Sequence, residues 1–240
     1  IGMAIEIQYQ FDFGNERIER FDLQFDDRNF FLQTSSLESD PEPWMKLTFH
    51  QCEGCSLNES ATPYCPVALN LAGLVAPFKE DFSHARVETI VTMRERQIVK
   101  QTDLQNSLKS MMGLVMATSG CPILDKFRPM AYTHQPFASM EETFFRVVSG
   151  YFLAQLVRLQ HGEEHSFDLA GLRKIYSDIN HINIAFTDRL RGMGGKDANL
   201  NALVSLDIFA QMGGFAIDDQ WLKQLGPLFS GYIEQLENPE

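Results

Sequence analysis

The chain has 240 residues, 44% of them hydrophobic and 11% aromatic, which is enough to build a core without cross-links. Its 20 basic and 32 acidic residues give a formal net charge of −12 at pH 7, and this charge repels a phosphate backbone. No segment reaches the roughly 18 consecutive apolar residues of a membrane-spanning helix, and no signal-peptide pattern opens the chain. Composition therefore predicts a cytoplasmic protein that binds neither nucleic acid nor membrane.

The front of the chain has the alternating pattern of β-strands. Apolar and polar residues alternate over 4–13, and Gly14 and Asn15 follow as a turn. Further short segments have the composition of strands: 21–25, 30–32, 44–49, 87–93 and 97–99. Short turns separate most of them, so we predict an antiparallel sheet.

From Asp103 onward the apolar residues recur in steps of three and four, as in amphipathic helices. Asp103 is a good N-cap residue, and Ser139 with Glu142 forms a capping box. The predicted helices cover 104–119, 139–160, 169–190, 197–212 and 218–225, with a last segment that reaches 236. The chain is therefore predicted to be α+β, an N-terminal antiparallel sheet followed by a C-terminal helical bundle. We divide it into a β subdomain at 3–101 and a bundle at 102–236, or treat it as one continuous domain.

The four cysteines are the clearest chemical signal. Cys52 and Cys55 form a Cys-x2-Cys pair, Cys65 follows, and Cys121 lies far downstream. This spacing favours a metal site over disulfides because nothing indicates an oxidising compartment; buried, unrelated thiols are the other alternative. Zinc bound by all four is the leading interpretation, with His50 as the substitute fourth ligand and an iron–sulfur cluster as the second choice of metal group.

Two of the cysteines precede a proline and an apolar run, in Cys65-Pro66 and Cys121-Pro122. Because proline favours the first helical position, each cysteine is predicted to be an N-cap. A sulfur there faces free amides and the positive end of the helix dipole, and these lower its pKa. Metal ligands must be thiolates, so the pattern supports a metal site, although the same field also suits a nucleophile.

A non-catalytic regulatory or protein-interaction role is the leading functional hypothesis. Four thiolates leave no open coordination position, as in structural zinc sites, and an acidic surface suits a protein partner. The alternative is a thiol-dependent enzyme or redox sensor that uses Cys121 with His134 as its base; whether the protein is an enzyme stays open. A third interpretation is a ligand-binding bundle with a pocket around Phe144, Phe145 and Phe152.

Four short motifs carry a resemblance to a known family. They are His50-Gln-Cys52-x2-Cys55, Cys65-Pro-Val-Ala-Leu-Asn-Leu71, Ala117-Thr-Ser-Gly-Cys121-Pro and Pro129-Met130-x3-His134-x-Pro-Phe137. In these motifs the chain resembles a family of uncharacterised bacterial proteins, defined by a domain of unknown function, over most of its length. The resemblance implies a bacterial cytoplasmic setting and brings no activity, substrate or ligand set.

Overall fold

A four-stranded antiparallel sheet forms the front of the molecule. The computed structural model describes residues 4–33, 40–216 and 219–237. The strands are β1 (Ile5–Asp12), β2 (Ile18–Phe25), β3 (Arg86–Met93) and β4 (Arg96–Asp103), in the order β2-β1-β3-β4. Two hairpins, β1–β2 and β3–β4, are thus joined through the antiparallel β1–β3 pair.

The alternation along β1 decides which face of the sheet is covered. Ile7, Tyr9 and Phe11 are buried on one face, because successive side chains of a strand point to opposite sides. The Tyr9 hydroxyl lies 2.9 Å from the hydroxyl of Ser110 in the first long helix of the bundle. The apolar face of the sheet therefore packs against the helical part.

The helices follow the predicted periodicity closely. They are α1 (Pro66–Val75), α2 (Leu104–Thr118), α3 (Arg128–Tyr132), α4 (Met140–Gln160), α5 (Ala170–Met193), α6 (Ala198–Ala216), α7 (Asp219–Gln224) and α8 (Ser230–Glu237). The Asp103 side chain caps α2, and the capping box of Ser139 and Glu142 opens α4 with both of its hydrogen bonds. The α+β prediction is confirmed; residue 218, where one predicted helix begins, lies outside the described residues.

Two of the expected strands are wrong. Segment 44–49 begins in a 3-10 turn, Pro43–Met45, instead of a strand. Proline is the first residue of this turn, and the two residues that follow it, Trp44 and Met45, are both buried. Segment 30–32 contributes one isolated bridge, between Phe25 and Leu32. Burial does alternate from Met45 to Phe49, but this segment makes only one isolated bridge, between Lys46 and Tyr64, and so does not extend a sheet.

A single hydrophobic core connects the sheet to the helices. It contains buried residues of β1, α1, α2, α4, α5 and α6. Phe11 of the sheet, for example, lies 5.0 Å from Phe78, centroid to centroid, just after α1. The division near residue 101 stays a prediction. None of the helices in the described part of the chain has the length and apolarity needed to cross a bilayer.

Candidate functional site

A loop over 45–65, in the chain between β2 and α1, carries three of the four cysteines and is closed at its neck. The N–H of Cys65 donates to the carbonyl of Met45 at 2.8 Å, and the N–H of Leu47 donates to that of Pro63 at 2.9 Å. These hydrogen bonds hold the two ends of the loop side by side. Cys65 therefore lies beside Met45, although the loop separates these two residues in the sequence.

Cys52 and Cys55 share a tight turn within this loop. The N–H of Cys55 donates to the carbonyl of Cys52 at 3.1 Å. Gly54 has a φ of 74°, a conformation that residues with a Cβ rarely adopt. The turn that the Cys-x2-Cys spacing predicts is therefore present, with glycine at the position that needs it.

The other two cysteines lie at helix ends. Cys65 is the N-cap of α1 with Pro66 at the first helical position, as predicted, although its thiol makes no capping hydrogen bond. Cys121 follows the end of α2, and its sulfur accepts hydrogen bonds from the amides of Leu124 and Ile123. The expected helix after Cys121 is wrong, because the chain there forms only a short 3-10 turn, Leu124–Phe127.

The four cysteines are electrostatic neighbours, and we call them the thiol cluster. All four are free thiols. Burial, followed by the charges of Cys65, Cys121 and Cys55, raises the pKa of the Cys52 thiol to about 12. Burial also raises the pKa of Cys121, and it outweighs the two amides that lower it. The expected lowering of the Cys121 pKa is therefore wrong. The four cysteines, which come from three separate segments, do act on the pKa values of Cys52 and Cys121 through their charges.

The side chains of the thiol cluster do not form a finished coordination sphere in the described part of the chain. Within 4–33, 40–216 and 219–237, no three or more His, Cys, Asp or Glu side chains form a group already arranged to hold a metal ion. His50, the predicted substitute ligand, is exposed and has its ring edge-on to Phe49 at 4.8 Å. It is not among the groups that shift the pKa of Cys52.

A buried arginine lies against the start of the loop. Arg189 of α5 is 1% exposed, and its guanidinium donates to the carbonyls of Trp44, Lys46 and Leu47 at 2.8, 2.7 and 2.8 Å. Its Nε has no hydrogen-bond partner, and no carboxylate in the described part of the chain forms an ion pair with it. Its charge lowers the pKa of Cys52. A buried cation without an anion is costly, and thiolates in the cluster would supply the missing charge.

The role of Arg189 was not predicted from the sequence, although its position on the apolar side of α5 indicated it. The apolar stripe of α5 contains Ile182 and Phe186, and Arg189 lies seven residues beyond Ile182, so it falls on the same side of the helix. A charged residue on the buried side of an amphipathic helix must find polar partners inside the protein. Here those partners are the three carbonyls of the cysteine-bearing loop.

His134, the proposed base for Cys121, has other partners. Its Nε2 lies 2.6 Å from the hydroxyl of Tyr9. Burial, assisted by the positive charge of Arg146, lowers the pKa of His134 to about 3. No hydrogen bond among the described residues joins His134 to Cys121. The thiol-enzyme alternative stays a prediction to which the geometry adds no support.

The three phenylalanines of the ligand-binding interpretation all lie in α4 but have different surroundings. Phe144 is buried in the core. Phe145 stacks on Phe229 at 6.3 Å, and Phe152 stacks on Phe167 at 6.5 Å, centroid to centroid. None of the three lines the cavity that opens beside α2.

The fold defines a class: an α+β protein with an N-terminal four-stranded antiparallel sheet followed by helices. The chain belongs to the family described as Domain of unknown function (DUF6901), whose model matches residues 7–230. The expected membership of an uncharacterised family is thereby confirmed. No curated protein and no solved structure matches the chain.

Proposed function

We propose that this protein binds one metal ion through Cys52, Cys55, Cys65 and Cys121, with zinc ahead of an iron–sulfur cluster, and that it has a regulatory or protein-interaction role. The observation that carries the proposal is that Cys52 is influenced by the charges of the three other free thiols and of Arg189, a buried arginine without a carboxylate partner in the described part of the chain.

Charge balance supports a metal–thiolate centre. Zinc with four thiolates has a net charge of −2. Arg189 supplies one buried positive charge, and the amides that donate to the Cys121 sulfur add partial positive charge. A neutral set of thiols would leave the guanidinium without an anion in a buried setting, so the metal-bound form is the better match to this arginine.

The positions of the ligands support a structural role for the metal. Cys52 and Cys55 lie in a loop without strands, Cys65 directly precedes α1, and Cys121 follows α2. An ion held by these residues would cross-link three segments that meet at the junction of sheet and helices. Such a link restrains a long loop, and the free energy of metal binding then adds to the stability of the fold.

A closed ligand set and an acidic surface support interaction rather than catalysis. Four protein thiolates leave no coordination position for a substrate. The net charge of −12 favours a protein partner with a basic surface, since complementary charge accelerates and orients association. The metal would then keep the surface formed by the loop and the start of α1 in one conformation.

Metal analysis of protein purified under reducing conditions tests the proposal. We expect one zinc per chain and no visible colour, whereas an iron–sulfur cluster would absorb visible light. The variant His50→Ala is the matched control and should keep its zinc. Four titratable thiols, no bound metal and a melting temperature unchanged by added zinc would refute the proposal.

A further inference from the structure

A cavity of about 210 Å³ opens between α2, the segment 124–138 and parts of α4, α5 and α6. Most of its wall is apolar, with contributions from Leu114, Met116, Phe127, Met130, Ile179 and Leu206. A cavity of about 150 Å³ is large enough to hold benzene. The volume here suits a ligand of on the order of ten non-hydrogen atoms. None of the four cysteines, all of which the structure describes, lines it.

Polar groups are concentrated around His134 in this wall. His134, Ser110 and Arg146 all line the cavity. The Tyr9 hydroxyl, which lies 2.6 Å from His134 and 2.9 Å from Ser110, joins two of them in one hydrogen-bonded chain. Arg146 is close enough to His134 to lower its pKa. The cavity therefore has a hydrogen-bonded polar region in a wall that is mostly apolar.

In the described part of the chain, Arg146 donates hydrogen bonds from only one of its three guanidinium nitrogens. Its Nη2 donates to the carbonyls of Met130 and Thr133, each at 2.7 Å. In the described part of the chain, its Nη1 and Nε make no hydrogen bond. Burial lowers the pKa of Arg146, and the carboxylate of Glu142, an exposed residue one turn earlier, acts in the opposite direction. A guanidinium that is partly desolvated gains from an anion beside it.

The wall has no competing negative charge. Among the described residues, no aspartate or glutamate lines the cavity, whereas Lys109 is a second cation in the wall; Asp103 and Lys100 are its charged neighbours outside the cavity. A strongly hydrated polyanion such as inorganic phosphate would bury little apolar surface here. An apolar molecule with one carboxylate satisfies both the apolar wall and Arg146.

We infer that this cavity binds a small hydrophobic carboxylic acid, with an apolar body of about six to ten carbon atoms among the side chains of α2, α5 and α6. Its carboxylate accepts one charge-assisted hydrogen bond, from Nη1 of Arg146, because Nη2, which takes part in both paired geometries of a guanidinium, already donates to two carbonyls. The neutral ring of His134 borders the carboxylate and fixes the polar end of the site. This binding activity is independent of the thiol cluster.

Calorimetric titration with octanoate tests the inference, with 1-octanol as the neutral ligand of the same length. We expect the wild-type protein to bind octanoate at least tenfold more tightly than 1-octanol. Arg146→Gln should weaken octanoate binding at least tenfold and leave 1-octanol binding unchanged. Arg158→Gln, an exposed substitution on the same helix, should leave both unchanged.

A second variant keeps the test decisive if Arg146→Gln folds poorly. Ala117 is buried and lines the cavity, so Ala117→Leu should fill part of it and weaken both ligands. Equal affinity of the wild-type protein for octanoate and 1-octanol would overturn the inferred recognition of the carboxylate. Absence of octanoate binding, or binding that neither substitution changes, would overturn the cavity as the site.

Discussion

The Nε2 atom of His134 lies 2.6 Å from the hydroxyl of Tyr9, although 125 residues separate them in the chain. This contact ties the segment after α3 to the central strand β1. Burial raises the pKa of Tyr9 and lowers that of His134, so both groups are neutral at neutral pH. The two neutral rings thus form a polar link inside an otherwise apolar interface.

Lowering the pH should reduce the stability of the fold, because His134 is buried as a neutral ring. Its folded-state pKa of about 3 lies below the ordinary value of 6.5, so the unfolded chain takes up the proton first as the pH falls. The free energy of unfolding therefore decreases between about pH 6.5 and pH 3, by about 1 to 2 kcal/mol at pH 5. Urea unfolding at about pH 7.5 and pH 5 measures this loss.

His134→Gln should abolish this part of the pH dependence, because a glutamine does not titrate. His161→Gln, a substitution of an exposed histidine, is the matched control and should behave like the wild type. If His134→Gln loses as much stability between the two pH values as the wild type does, the buried neutral ring is not the cause.

Each ligand of the proposed metal site should be necessary for tight binding. Cys52→Ser, Cys65→Ser and Cys121→Ser are each expected to lower zinc affinity at least about 100-fold, since even changes outside the ligand set cost 10- to 100-fold. Competition with a chromophoric chelator measures the affinity. Retention of wild-type affinity in Cys121→Ser alone would remove that residue from the ligand set and return His50 to consideration as the fourth ligand.

Arg189 is expected to contribute both to the free energy of unfolding and to the affinity for zinc. Arg189→Met leaves three buried carbonyls without their donor, which is expected to cost about 3 kcal/mol or more of unfolding free energy. It should also lower zinc affinity about tenfold, because the positive charge beside the thiolates is lost. Arg191→Met, at an exposed position two residues further along α5, is the control. A destabilised protein with unchanged zinc affinity would limit Arg189 to a structural role.

A pair of glycines tests the packing of α5 on the loop. A Cβ on Gly192 would lie 2.7 Å from the ring of Phe49, so Gly192→Ala should lower the unfolding free energy by about 1 to 3 kcal/mol. Gly150 in α4 has open space around it, and Gly150→Ala should raise the unfolding free energy by about 0.5 to 1 kcal/mol. Thermal melts of the two variants give the comparison, and equal effects would contradict the close approach of Phe49.

Asp197 is expected to stabilise the join between α6 and the chain before β3. Its carboxylate accepts from the N–H of Ser83 at 2.8 Å and from its hydroxyl at 3.0 Å, and these bonds lower its pKa. The carboxylate of Asp197 therefore contributes its full stabilisation at pH values above the pKa that it has in the unfolded chain. This contribution is lost as the pH falls through the lower pKa that it has in the folded protein. Asp197→Asn should cost about 1 to 2 kcal/mol at neutral pH, measured by urea unfolding. Asp188→Asn is the surface control, and a similar cost there would contradict the role of Ser83.

Local periodicity predicted most of the elements. The alternation in β1 and the three-and-four spacing of α5 each reflect one apolar face against one core. Asp103 and Ser139 marked the helix starts because their side chains satisfy amides that the helix leaves free. Each of these patterns lies within a few consecutive residues, so it can be recognised without knowledge of the tertiary structure.

The features that define the candidate sites were harder to predict. The cavity takes its wall from α2 to α6 and from the segments between α2 and α4, so no single part of the sequence indicates it. The partners of Arg189 and of His134 lie more than 100 residues away, so their roles depend on tertiary packing. The cysteines were recognised from their spacing, whereas the effect of burial on the Cys121 thiol required its surroundings.

The strand order has a consequence for the sequence of folding events. The hairpins β1–β2 and β3–β4 are local, but the pair that unites them aligns Tyr9 with Val91, and the entropy cost of closing a loop grows with its length. We therefore expect each hairpin to form before the two meet. Cys52, Cys55 and Cys65 all lie in the stretch that this meeting encloses, so their loop takes its final shape late, once the two hairpins have paired.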